Sequence, residues 1–306
     1  GGNYFDGYMS HFAVVDGQQL APTVFGETDS TSGIWKFKSP SGVSWGTNGF
    51  HLKFENSGNL GLDSSGQTNN FTTNGNLKQA LDTPSNVHAT LNPLHKGTHL
   101  GDATFSNGNL KHQGTSSGGN YPYTFSTLAA SQGKWYAEFK VGSDPSTTMI
   151  GIASGIADSF LGGTGSAKGY ALYGNSGNLF TSGSGSSYGS ALSVGDILGV
   201  AMDLDNNKLY FSKNGTFQNS GVPTSGSTGT GAVSITAPAD NGTGVYHFAC
   251  GKAGSATTSI EANFGNGYFG TTAITSAGSN GNGSLFEYDV PNGYYALNTK
   301  NINTYG

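Results

Sequence analysis

The stretch Val194–Phe217, which reads VGDILGVAMDLDNNKLYFSKNGTF, decides the fold of this chain. A two-residue turn at Asn206 and Asn207 places Met202 opposite Phe211 and makes one side of the resulting hairpin apolar. The other side of the hairpin is more polar. The pattern therefore predicts two antiparallel strands with one face toward a core.

A second turn signal follows at Asn214-Gly215, because Asn-Gly is the dipeptide most typical of a tight hairpin turn. It predicts a third strand that runs back from Phe217 and completes a β-meander. Nothing in this meander requires a cofactor. Since no other segment shows helical periodicity, we expect a chain with almost no helix.

Four segments, taken in order along the chain, resemble strands of SPRY domains. They are residues 133–139 (GKWYAEF), residues 149–153 (MIGIA), the hairpin within Val194–Phe217, and residues 263–265 (NFG) after a strand at 246–249 (YHFA). Because the motifs are several and in the right order, the resemblance is specific. It implies an all-β fold, an antiparallel SPRY-like β-sandwich of the concanavalin-like jelly-roll type, which usually serves as a binding or scaffold module.

The composition favours short strands joined by many turns. Glycine accounts for 51 of the 306 residues and charged residues for only 10%, while aromatic residues amount to 12%. Disordered chains are poor in aromatic residues, so this chain is expected to fold. Its length is sufficient for two domains.

The charged residues bear on nucleic acid binding, and the single cysteine bears on disulfide formation. The formal net charge is -5 and all 13 basic residues are lysine, so the chain lacks the bidentate guanidinium that phosphate and base recognition favour. We therefore expect no nucleic acid partner. Cys250 is the only cysteine, which excludes an intrachain disulfide and predicts a small buried side chain in a strand.

No apolar run approaches the roughly 20 residues that a membrane-spanning helix needs, so no membrane insertion is expected. The first residue is Gly, and no charged and apolar leader opens the chain. We therefore expect the sequence to be an internal or processed piece of a longer protein.

The segment Tyr4–Val15 (YFDGYMSHFAVV) is largely apolar on both sides of a strand, which predicts a place in the middle of a sandwich. With its continuation at residues 16–18 (DGQ), 25–27 (FGE) and 35–36 (WK), it resembles the last strand and exit of a concanavalin-like or laminin-G-like domain in phage tail-fibre proteins. Residues 1–26 are interpreted as the end of such a domain. Its other strands would come from upstream residues or from another subunit.

Residues 27–96 are interpreted as a connector with a few short strands. Within it, residues 48–54 (NGFHLKF) alternate as a strand with Phe50, Leu52 and Phe54 facing inward. The turn-rich residues 62–71 again resemble the linking region of phage fibre proteins.

A repeated motif flanks the SPRY-like region. Residues 82–92 (DTPSNVHATLN) are echoed by residues 289–298 (DVPNGYYALN), as expected if one linker design separates successive modules. A chance match is the alternative. The echo predicts a SPRY-like sandwich at 97–290 and a linker to a following module at 291–306.

Within the sandwich, Trp135 and Phe139 alternate with Tyr136 and Glu138, which predicts a strand with one buried face and one solvent face. Three further segments are too rich in glycine and polar residues for a core, and we expect them to be loops that carry recognition sites. They are residues 162–169, 174–190 and 221–231.

The polar clusters do not satisfy the requirements of catalysis. Asp203, Asp205 and Asn207 have the spacing of the start of a calcium loop, but Lys208 and Asn214 stand where that loop needs Gly and Glu. The two aspartates are predicted to lie at an exposed turn, where neither carboxyl is desolvated enough to act as a general acid.

His95 and His99 lack the helical context that would place them on one face as metal ligands. We therefore expect no catalytic residues, no metal ligands and no cofactor, and we interpret the protein as not an enzyme.

Aromatic residues in polar, glycine-rich segments are the remaining candidates for ligand binding, because an exposed ring can stack on a sugar or a partner protein. Partial burial under loops is the alternative. The candidate ligand-binding residues are Tyr121, Tyr123, Tyr173 and Tyr188, and Trp35 and Trp45 lie in similar surroundings.

These observations lead to one principal functional hypothesis. The chain is expected to be a non-enzymatic virion structural protein, a segment of a phage tail fibre or head fibre at the extracellular virion surface that serves host attachment and display. The expected partners are identical subunits in a homotrimer, other virion proteins, and a host-surface glycan or protein. The alternatives are a secreted or cell-surface carbohydrate-binding adhesin and, third, a polysaccharide-degrading spike.

Overall fold

The computed structural model describes residues 8–30, 33, 35–75, 77–83, 86–96, 103–115, 121–156, 160–165 and 168–306. These residues form two compact units, 8–87 and 88–306. The start of the predicted strand Tyr4–Val15, the predicted boundary at residue 97 and His99 lie outside the described residues.

The unit 8–87 contains four short strands in two two-stranded antiparallel sheets, β1 with β4 and β2 with β3. The strands are β1 (Phe12–Val14), β2 (Gly26–Thr28), β3 (Trp35–Phe37) and β4 (Phe50–Leu52), and a 3₁₀ turn spans Pro22–Val24. Asp63 organises the loop after β4, because its carboxylate accepts the backbone N–H groups of His51, Ser65 and Asn69.

Strand β1 does not lie in the middle of a sandwich within the described residues. It pairs on one side, with β4, and Phe12 is 49% exposed. In β4 the inward residues also differ from the prediction, since His51 is buried beside Leu52. The strand ends at Leu52, and Phe54 adopts a left-handed φ of 59° that breaks the alternation.

The unit 88–306 is a two-layer β-sandwich with one short helix. Its strands are β5 (Leu91–Lys96), β6 (Ala103–Ser106), β7 (Lys111–Gly114), β8 (Tyr123–Ser126), β9 (Lys134–Ser143), β10 (Thr148–Ala153), β11 (Gly169–Tyr173), β12 (Leu179–Thr181), β13 (Ser184–Ser186), β14 (Ile197–Asp203), β15 (Lys208–Lys213), β16 (Thr216–Phe217), β17 (Val233–Ser234), β18 (His247–Lys252), β19 (Thr258–Asn263), β20 (Tyr268–Phe269), β21 (Thr272–Ala273) and β22 (Tyr295–Ala296). Helix α1 spans Thr299–Tyr305, and 3₁₀ turns span Pro145–Thr147, Gln218–Ser220, Pro223–Thr228 and Pro238–Asp240.

Two antiparallel sheets face each other in this unit. The seven-stranded sheet has the order β13-β12-β11-β10-β18-β8-β5, and the nine-stranded sheet has the order β16-β15-β14-β9-β19-β7-β6, with β17 beside β15 and β22 beside β9. The prediction of an all-β antiparallel sandwich with almost no helix is therefore confirmed. The unit also includes β5 and β22, which lie outside the predicted limits of 97–290.

The core between the sheets is built from alternate residues of the facing strands. It contains large aromatic and aliphatic side chains from both sheets, among them Trp135, Phe139, Val200, Phe211 and Phe248. Cys250 is buried in this core, as predicted, and burial raises the pKa of its thiol.

The central hairpin forms, but in a different register from the predicted one. Met202 lies opposite Leu209 and Val200 opposite Phe211, so a four-residue turn replaces the two-residue turn at Asn206 and Asn207. A shift of two residues leaves every side chain on its predicted face. The sequence therefore predicts the buried face correctly and the pairing incorrectly.

The Asn214-Gly215 turn is confirmed. Both residues have positive φ, 48° and 80°, and Lys213 pairs with Thr216 directly across the turn. Residues 174–190 are not simply a loop, because a similar tight turn at Ser182 and Gly183 joins β12 to β13.

Strand β9 is buried on both faces, which corrects the predicted solvent face. Tyr136 and Glu138 point away from the sandwich core but are covered by residues of the segment 275–298. This segment packs Phe286, Val290 and Tyr294 on the outer face of the nine-stranded sheet. It then adds β22 beside β9, where it forms a parallel pair.

The two copies of the repeated motif meet within the unit 88–306. His88 pairs with Asn298 in an antiparallel bridge, and the backbone N–H of Ala89 donates to the carbonyl of Leu297 over 2.9 Å. The first residues of this unit therefore lie beside the segment near its C-terminal end.

Candidate functional site

The outer face of the seven-stranded sheet carries a second apolar cluster, separate from the sandwich core. Alternate residues of β8, β10, β11 and β18 point to this face. Their side chains are those of Tyr123, Phe125, Met149, Ala153, Ala171 and Ala249, joined by Leu161 from the loop after β10. Alanine and glycine in the middle of these strands leave room for aromatic rings to lie over them.

Four partly exposed rings at this face contact one another in turn, and we call them the aromatic ridge: Tyr121, Phe160, Phe180 and Tyr173. Their ring centroids are separated in turn by 6.0, 5.8 and 5.5 Å, and each pair meets edge to face. Such pairs add about 0.5–1.5 kcal/mol beyond the area that they bury. The contacts hold the rings in fixed positions while part of each ring stays accessible.

Glycines under the ridge allow the close packing of its rings. A Cβ added at Gly185 would lie 2.8 Å from Cζ of Phe180, so the ring of Phe180 rests against the backbone of β13. A Cβ at Gly183 would lie 2.8 Å from Cγ2 of Thr164, which places the loop after β10 against the β12–β13 turn.

The strands that carry the ridge are uncharged. β8, β10, β11, β12 and β13 contain no Asp, Glu or Lys. In β18, Lys252 is buried and donates from Nζ to the carbonyls of Thr115 and Ala256 at 2.6 and 3.3 Å.

Two of the four predicted ligand-binding residues, Tyr121 and Tyr173, lie in the ridge. Tyr123 and Tyr188 do not have the expected exposure, since they are only 1% and 9% exposed. Tyr188 packs against Phe211 and donates to the carbonyl of Gly231, and burial raises its pKa to about 12. These two side chains are structural.

Sequence reasoning missed Phe160 and Phe180. Phe180 lies in the predicted loop 174–190, beside threonine and serine, and Phe160 lies between Ser159 and the predicted loop 162–169. These surroundings resemble those that selected the tyrosines.

The prediction that Asp203 and Asp205 both lie at an exposed turn is wrong for Asp203. Asp203 is fully buried, 3.1 Å from Nζ of Lys134, and accepts the backbone N–H of Asn206. Asp205 accepts the backbone N–H of Gly133 over 2.7 Å. Both carboxylates therefore tie the central hairpin to β9, a structural role that accounts for their positions.

The unit 8–87 contains a histidine pair beside an apolar pocket. Nδ1 of His11 lies 3.2 Å from Nε2 of His51, and the rings stack on Phe37 and Trp45 respectively. Burial, followed by the positive charge of Lys53 for His11 and by the neighbouring histidine for His51, lowers the pKa of both imidazoles. Both rings are therefore uncharged near neutral pH.

The pocket beside the pair has a volume of about 270 Å³ and is lined by His11, Phe12, Ala13, Phe25, Phe37 and His51. Among the described residues, no group of three or more His, Cys, Asp or Glu side chains is placed to hold a metal ion. In the same part of the chain, no helix is long and apolar enough to cross a membrane.

The two facing antiparallel sheets make the unit 88–306 a β-sandwich. Residues 134–246 match the family model of the SPRY domain, so the chain contains a SPRY domain. The crystal structure of the SPRY domain of human HERC1 is similar with a TM-score of 0.43 and 14% sequence identity, over 56% of this chain and 96% of that chain. No curated protein matches this chain.

Proposed function

We propose that the chain is a non-enzymatic recognition and scaffold segment of a virion appendage, a phage tail fibre or head fibre, that attaches to the host surface through its SPRY domain. The observation that carries the proposal is the aromatic ridge, four rings held in place by successive edge-to-face contacts. Fixed, partly exposed aromatic side chains bind partners at a small cost in conformational entropy.

The arrangement of modules supports the fibre part of the proposal. The repeated motif occurs at both limits of the sandwich, and His88 in the first copy pairs with Asn298 in the second. A sandwich with one copy of the motif at its beginning and another at its end is consistent with a protein built from modules in series. The N-terminal resemblance to fibre proteins supports the same assignment.

The proposed partners follow from this assignment. They are identical subunits in a trimer, other virion proteins and a glycan or protein of the host surface. The expected location is the virion surface, outside the host cell.

A cell-binding assay tests the proposal. The purified, fluorescently labelled chain is expected to attach to cells of some species in a bacterial panel, and Tyr173→Ala is expected to reduce the attached fraction at least fivefold. Tyr305→Ala on helix α1 is the matched control, because this tyrosine is exposed and lies outside the ridge. Attachment to no bacterial cell, or attachment that is insensitive to Tyr173→Ala, contradicts the proposal.

A further inference from the structure

We infer that the aromatic ridge binds an uncharged polysaccharide. The inference rests on the proposed attachment function and names the class of ligand. Three properties of the described residues carry it: the spacing of the rings, the absence of charge on the strands beneath them, and the small accessible area.

The first property is the spacing. Rings in contact, from Tyr121 through Phe160 and Phe180 to Tyr173, have centroids 5.5–6.0 Å apart, a separation similar to the width of a sugar ring. A pyranose presents C–H groups on its faces and hydroxyl groups at its edges. Aromatic side chains cover the C–H groups of the sugar faces. The phenol groups of Tyr121 and Tyr173 can hydrogen-bond to the hydroxyl groups at the sugar edges.

The second property is neutrality. The strands β8, β10, β11, β12 and β13 carry no Asp, Glu or Lys, and the ammonium group of Lys252 is buried against two carbonyls. An acidic polysaccharide needs cationic partners, because a desolvated and unpaired carboxylate or sulfate is costly. The polar neighbours Thr164 and Ser176 are exposed and offer hydroxyl groups instead.

The third property is area. A fully buried aromatic side chain covers about 150–250 Å², so four rings that are already largely packed together offer at most about 300 Å². A stable protein interface needs about 800 Å² on each partner. The four rings alone offer less area than such an interface and are comparable to a short run of sugar rings. Repeated sugars allow several copies of the chain to bind one polymer.

Affinity electrophoresis in gels that contain soluble polysaccharide tests the inference directly. Dextran, galactomannan and xyloglucan are the uncharged probes, and alginate and heparin are the charged probes. The chain is expected to be retarded by at least one uncharged polymer and by neither charged one. Tyr121→Ala and Tyr173→Ala are each expected to weaken the retardation at least fivefold, while Tyr305→Ala leaves it unchanged.

The outcomes separate the ligand class from the attachment function. Retardation by no uncharged polymer overturns the inference, as does retardation that survives both ridge substitutions. If the chain still attaches to cells in a manner that depends on Tyr173, and protease treatment of the cells abolishes attachment, the partner is a protein and only the sugar assignment fails. Circular dichroism of each variant excludes loss of folding as the cause.

Discussion

The carboxylate of Glu138 accepts the backbone N–H of Tyr288 over 2.9 Å, although the two residues are 150 positions apart in the chain. The same carboxylate accepts the N–H of Glu287 at 2.8 Å and the hydroxyl of Tyr136 at 3.2 Å. Glu138 thus fastens the segment 275–298 to the outer face of β9. This contact covers the outer face of β9.

Removal of the Glu138 carboxylate is expected to destabilise the sandwich. Glu138→Ala removes the acceptor of two part-buried N–H groups and of the Tyr136 hydroxyl, and the loss amounts to about 3 kcal/mol. Urea denaturation followed by the fluorescence of Trp135, which is fully buried in β9, measures the change. The control is Glu55→Ala, whose side chain is exposed in the other unit.

The environment of Glu138 also predicts a dependence of stability on pH. Burial raises the pKa of this carboxyl to about 7, although the hydrogen bonds from Glu287, Tyr288 and Tyr136 act in the opposite direction. Because the pKa in the folded state lies above its unfolded value, the folded sandwich binds the proton more tightly. The contribution of Glu138 is therefore fully present below about pH 4.3 and is lost as the pH rises to about 7.

Glu138→Gln, which cannot titrate, is expected to remove this part of the pH dependence. Denaturation of both proteins at several values between pH 4 and 8 gives the comparison. A wild-type difference between pH 5 and 7 that persists unchanged in the variant would show that another group is responsible.

The histidine pair predicts the opposite trend for the unit 8–87. The pKa values of His11 and His51 are lowered, chiefly by burial, so the unfolded chain takes up protons first as the pH falls. Stability is expected to decrease as the pH falls from about 6.5 through the lowered pKa values. Trp45 stacks on His51 with centroids 5.4 Å apart, so tryptophan fluorescence reports the transition, and His51→Gln should weaken the dependence.

The turn between β15 and β16 predicts a specific sensitivity to substitution. Gly215 has a φ of 80°, and a Cβ at this position would lie 2.7 Å from Cδ1 of Tyr288. Gly215→Ala is expected to cost about 1–2 kcal/mol. Gly195, with a φ of 89° and no atom within 4 Å of an added Cβ, is the matched control. Gly195→Ala measures the backbone strain alone, and equal losses at both sites would exclude a clash with Tyr288.

The sequence predicts the fold of the sandwich well because local signals agree there. The Asn214-Gly215 turn, the apolar face of the central hairpin and the order of the motifs all lead to one architecture. The register of that hairpin was not predictable, since pairings that differ by two residues place the same side chains inward. The ion pair between Asp203 and Lys134, which occurs with the observed register, joins residues that are distant in sequence. Local patterns therefore do not reveal it.

The site is less predictable for a related reason. Whether a strand face is exposed depends on what covers it, and Tyr136 and Glu138 are covered by a segment about 150 residues later. In the same way Tyr123 and Tyr188 are buried, whereas Tyr121 and Tyr173 remain partly exposed. Composition around a tyrosine does not distinguish these cases, because its long-range neighbours decide its exposure.

The last prediction concerns assembly. Within the described part of the chain, strand β1 pairs on one side only, with β4, and Phe12 and Val14 on this strand are 49% and 39% exposed. Phe50 and Phe71 continue the apolar surface, with centroids 5.7 Å from Phe12 to Phe50 and 4.7 Å from Phe50 to Phe71. An open strand edge beside an apolar face favours association with further strands.

We expect identical chains to cover this surface, since symmetric homo-oligomers are the common arrangement. The proposed fibre function favours a trimer over a dimer. Light scattering of the chain at micromolar concentration should give three times the mass of one chain. The double variant Phe12→Lys and Val14→Lys should dissociate it, because unpaired charges at an interface are costly. The control Val194→Lys changes an exposed valine of the SPRY-containing unit and should leave the mass unchanged. A monomeric wild-type chain contradicts the trimer and favours a monomeric adhesin.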